Sequence, residues 1–114
     1  MRDNAAFKVL TGAELVELEG GSFAGSADDR RDGYIHLSTA AQLAATVDRH
    51  YPSGGDLHVA EVDLTALGDA IRWEPSRGGE DFPHLYGPLP LDAVVAYSPL
   101  ERGDDGQVKL PVTG

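Results

Sequence analysis

Glycine and proline interrupt this chain so often that none of its elements can run long: 14 glycines and 7 prolines fall among 114 residues. Glycine weakens helix and strand interiors, and proline lacks a backbone donor, so short elements joined by tight turns are expected. At this length the chain, residues 1–114, fits a single domain with one core and one cleft. Apolar residues at 41% and charged residues at 25% match ordinary globular usage.

Charge narrows the partners. With 19 acidic against 9 basic residues the formal net charge is −10, a field that repels nucleic-acid phosphates and anionic membranes. Nucleic acid and membrane are therefore not expected partners, whereas a small-molecule ligand is. The absence of cysteine excludes disulfides, thiolate nucleophiles and zinc-thiolate sites. The first residues, MRDNAAFKVL, lack an apolar signal stretch, and no run approaches the ~18–20 apolar residues of a membrane span. A cytoplasmic protein of unassigned oligomeric state is the expectation.

Along the chain, the apolar run Ala6 to Leu10 precedes Thr11-Gly-Ala-Glu14, a capping-box spacing that predicts a helix ending at Gly20-Gly21. Residues 20–33, rich in glycine, serine and clustered charge, read as an exposed loop able to serve as a lid. The alternation of YIHLS, residues 34–38, predicts a strand with Ile35 and Leu37 on the core face and Tyr34, His36 and Ser38 on the other. Thr39-Ala-Ala-Gln42 repeats the capping spacing before a helix carrying Leu43 and Val47. Strands are expected over residues 56–64 and 70–74, and AVVAY, residues 93–97, reads as a central strand because it is apolar on both faces. The sum is an α+β domain of about six short, mostly antiparallel strands with two helices packed against them.

Two stretches carry the chemistry. Tyr34, His36 and Ser38 face either water or a cleft. In GGEDFPHLYGPLP, residues 78–90, Pro83 and Pro88 stiffen the backbone, and an extended segment 82–86 puts Phe82, His84 and Tyr86 on one side. Such a surface either stacks on a planar ligand or fills core around a hydrogen-bonded histidine. Glu74 and Arg77 lie just before it, the guanidinium being either an anion clamp or a solvated turn residue. His50 and His58 gain no convergent polar set. No HxH or HxxxH pair supports a metal, no nucleophile elbow supports Ser38 as a triad serine, and no glycine-rich phosphate loop is present.

The blocks DGYIHLSTAAQ, RWEPS and FPHLYGPLPLDAVV, in this order and spacing, resemble the small bacterial proteins grouped as domain of unknown function 952. The resemblance covers nearly the whole chain and places Asp32, Gly33, His36, Ser38, Glu74, His84, Tyr86 and Gly87 on shared positions. It implies an ADP-ribosyltransferase-like fold, and by that analogy NAD as a candidate substrate; no cofactor is assigned, and zinc is a minor alternative. His36, Glu74 and His84 are then the catalytic candidates, and Ser38, Arg77 and Tyr86 the ligand-binding ones. Three functions remain open: an enzyme acting on NAD or a related nucleotide, a non-catalytic small-ligand module, and a protein-interaction domain.

Overall fold

The computed structural model describes residues 4–111. In chain order it comprises β1 (Ala5–Thr11), α1 (Gly12–Glu19), β2 (Ser22–Phe23), α2 (Ala27–Asp32), β3 (Ile35–His36) and α3 (Leu43–His50). There follow β4 (Leu57–Asp63), α4 (Leu64–Leu67), β5 (Ile71–Pro75), β6 (Asp81–Leu85), β7 (Leu89–Pro90) and β8 (Val94–Pro99). The class is α+β, with eight strands and four α-helices among the described residues rather than six and two.

The strands form three small antiparallel sheets, ordered β1-β4-β8, β2-β7 and β3-β6-β5. A bridge between Phe7 and Ser38, with N···O distances of 2.7 and 2.9 Å, ties the first sheet to the third. Strand alternation sends Ala6 and Leu10 of β1 and Ala60 and Val62 of β4 into one apolar cluster with Leu18, Phe23, Ile35, Leu37 and Leu85. Phe7, Val9, Leu57 and Val59 go to the opposite face, against Leu43 and Val47 of α3. The first sheet is thus covered on both sides, and the third lays its apolar face on the first cluster.

Both capping boxes are made. Thr11 and Glu14 exchange bonds at 2.9 and 3.2 Å and Gly20 caps α1. Thr39 and Gln42 do the same at 3.0 and 3.2 Å, but residues 40–42 form a turn and α3 begins at Leu43.

Three expectations are corrected. Residues 20–33 are no open loop: Phe23 is fully buried and paired with Leu89, and Ser26 and Asp29 form a further capping box at the start of α2. AVVAY forms most of an edge strand, β8, whose Val95 and Tyr97 are exposed; β4 is the central strand. Finally, residues 82–86, weighed from sequence as a stiff extended stretch and not counted among the strands, fall largely in β6, the central strand of its sheet. Pro83 accepts a bond from Leu37 N at 3.1 Å and has no N–H to return, so its ladder to β3 closes after His36 and β3 is shorter than YIHLS.

Candidate functional site

Register builds the site. His84 on β6 stands directly opposite His36 on β3 and Arg72 on β5, and Glu74 stands opposite Phe82. Because side chains alternate, Tyr34, His36, Phe82, His84, Tyr86, Arg72 and Glu74 share the sheet face turned away from Ile35, Leu37, Leu85 and Trp73. His36 and Ser38 therefore point away from the core, as the alternation of YIHLS predicts.

The rings on this face touch. Tyr34 stacks on His84 with centroids 4.0 Å apart and planes 20° apart, and lies 4.8 Å from His36 and 5.3 Å from Tyr86. The two imidazole centroids are 5.8 Å apart. Arg72 caps the group, its guanidinium carbon 5.2 Å from the Tyr86 centroid.

Glu74 organises one half. Its Oε1 accepts from His84 Nδ1 at 2.8 Å and from the Tyr86 hydroxyl at 2.7 Å. Those bonds, His84 first, hold the carboxyl below its usual range, while the same contact pushes the Tyr86 phenol up. His84 is 2% exposed, and its Nε2 is buried with no hydrogen-bond partner. A buried ring nitrogen left unpaired costs about 1–3 kcal/mol.

Asp29 organises the other half. It lies 2% exposed on α2 and binds the Lys8 ammonium at 2.9 Å, His36 Nδ1 at 2.6 Å, His36 N at 3.1 Å and Ser26 N at 2.9 Å. Burial alone raises its carboxyl, but the His36 bond, the Lys8 charge and the bonds from Lys8 and Ser26 outweigh it and hold Asp29 far below the usual carboxylate range. Lys8 also donates to the His36 carbonyl at 3.1 Å. On its far side, His36 Nε2 meets Asp32 Oδ2 at 2.9 Å, and the Asp32 carboxyl is lowered, chiefly by its hydrogen bond from Arg31.

These groups border a cleft of about 460 Å³, lined among others by Lys8, Asp29, His36, Ser38, Tyr51 and His84. Its size falls in the roughly 300–1,000 Å³ range of small-ligand sites. Tyr51 has its phenol pushed up to about 12 by burial and then by Glu14, Asp29 and Asp28.

Of the residues singled out from sequence, His36, Ser38 and His84 line the cleft, Ser38 bonding the Thr46 hydroxyl at 2.8 Å. Glu74 and Tyr86 support His84 from its Nδ1 side. The Arg77 side chain lies outside the described residues. His50 lines the cleft, whereas His58 on β4 pairs with Asp56, which precedes that strand. Sequence reasoning missed Lys8 and Asp29. Their signals were a lysine inside an otherwise apolar strand and the Ser26-x-x-Asp29 spacing. Among the described residues no group of three or more His, Asp or Glu is placed to hold a metal, and no helix is long and apolar enough to cross a membrane.

The family described as "Protein of unknown function (DUF952)" matches residues 11–97. The chain belongs to this family. The DUF952 match takes in Asp29, His36, Glu74, His84 and Tyr86 and leaves Lys8 outside it. Among solved structures, the crystal structure of protein CC0527 from Caulobacter crescentus is 37% identical, with a TM-score of 0.83 over 92% of this chain and 93% of that one. The solution NMR structure of CC0527 is also 37% identical, with a TM-score of 0.77 over 92% and 91%. No curated protein matched the chain.

Proposed function

We propose that the protein is an enzyme acting on NAD or a related nucleotide, in keeping with the ADP-ribosyltransferase-like grouping that the family resemblance implies. The observation that carries this reading is His84: one ring nitrogen fixed by a carboxylate, the other buried and unpartnered, in a ring that lines a ligand-sized cleft. With Nδ1–H donated to Glu74, Nε2 keeps its lone pair and serves as a general base.

In that role Nε2 takes the proton of a water or acceptor hydroxyl. The oxygen bonds the anomeric carbon as the nicotinamide–ribose bond breaks, and the bonding pair leaves with neutral nicotinamide. Glu74 acts through His84, fixing its tautomer and stabilising the imidazolium that forms. The rings of Tyr34 and His84 supply planar surface beside the cleft. NAD enters as substrate, and no resident cofactor is assigned.

The test is chromatographic detection of nicotinamide after incubation of the purified protein with NAD. Release that falls at least about tenfold in Glu74→Gln and is abolished in His84→Ala supports the reading. Binding without release moves it to a small-ligand module, and neither binding nor release rejects it.

A further inference from the structure

His36 lines the same cleft as His84, yet both its nitrogens are engaged, Nδ1 by Asp29 at 2.6 Å and Nε2 by Asp32 at 2.9 Å. Nδ1 is hydrogen-bonded to Asp29, whereas Nε2 faces Asp32 only as a close ion-pair contact. The two carboxylates are not alike. Asp29 is buried and bound to Lys8, Ser26 N and His36 N as well, which makes it a fixed part of the frame.

Asp32, about a third exposed (32%), is the last residue of α2, where a carboxylate meets the unfavourable negative end of the helix. Its other partner is the exposed Arg31, at 3.1 Å. Little in the fold needs Asp32 at that spot.

We propose that Asp32 occupies the seat of a ligand anion: a phosphate or carboxylate of the substrate displaces it from His36 Nε2, and a hydroxyl beside that anion donates to His84 Nε2. The imidazole centroids lie 5.8 Å apart, so the two rings stand side by side at the cleft. Arg31 and Arg49 line the same cleft and offer further cations to an anion entering a protein of net charge −10. The substrate class is then a hydroxylated phosphate ester or hydroxy acid. This inference rests on the site reading above and narrows what that site accepts.

The experiment measures binding of inorganic phosphate and, separately, of acetate to the wild-type chain, Asp32→Ala, Asp28→Ala and Asp32→Ala/His36→Ala by calorimetric titration. Asp28→Ala removes the same charge from the same helix and a partner of the same Arg31, so it controls for charge and for release of Arg31 and leaves the His36 contact as the difference. Asp32→Ala is expected to bind one of the two anions at least about tenfold more tightly than wild type, with the better anion identifying the group the seat accepts. Asp28→Ala should gain less than about threefold, and adding His36→Ala should remove the Asp32→Ala gain. An equal gain in Asp28→Ala, a gain that survives loss of His36, or no gain with either anion overturns the proposal. Should the double variant not fold, the His36 ring resonances of Asp32→Ala replace it: shifts induced by the better anion support the seat, and unmoved resonances overturn it. Because the readout is anion binding, it can succeed where nicotinamide release fails, and the reverse.

Discussion

At the scale of single residues, the buried Lys8–Asp29 pair dominates. Asp29→Ala leaves a buried ammonium uncompensated and frees His36 Nδ1, so the variant should lose about 3–5 kcal/mol of unfolding free energy in urea titrations. A loss under about 1 kcal/mol would mean that water reaches the pair. Acid should act on the same group. The folded-state pKa of Asp29 lies far below its ordinary value of 3.8, so its contribution is complete above that value and is lost progressively as pH falls from there towards the folded-state pKa. Stability of the wild-type chain should therefore decline more steeply than that of Asp29→Asn as pH falls below about 4, as urea midpoints at each pH would reveal. His36 and His84 were legible because alternation and two prolines fix where they point. Asp29 was not, because its partner Lys8 lies 21 positions away and residues 20–33 have the composition of a solvated loop.

Elements show the same division between local signals and long-range ones. Capping boxes were readable wherever the spacing was recognised, and the one at Ser26 starts α2, the helix that carries both carboxylates bound to His36. Ser26→Ala should cost about 1 kcal/mol, read as a lowered urea midpoint with an unchanged slope. β8 was misread because an apolar run does not say whether both its faces are covered: Val95 is 49% exposed on an edge strand. Val95→Thr should accordingly change stability by no more than about 0.5 kcal/mol, whereas a cost above about 1.5 kcal/mol would show a covered face. β6 was read correctly as extended but not as a central strand, since Pro83 argues against one. The sheet tolerates it because β3 ends where the proline's missing donor would have been needed.

For the molecule as a whole, the α+β class follows from the order of short helices and strands, while the division into three sheets depends on pairings between distant segments, such as Phe23 with Leu89, that no local pattern encodes. What this arrangement achieves is convergence: β3 and β6 bring two histidines from separate parts of the chain onto one face, each held by its own carboxylate, beside a cleft roofed by β1, α2 and α3. That His36 and His84 serve one ligand is the central claim. Its most direct test is a titration of the chain with NAD, followed through the histidine ring resonances by NMR. The signals of His36 and His84 should move together along one binding curve while those of His58, on β4 and paired with Asp56, stay fixed. Movement of only one of the two, or of neither while NAD binds, would contradict it.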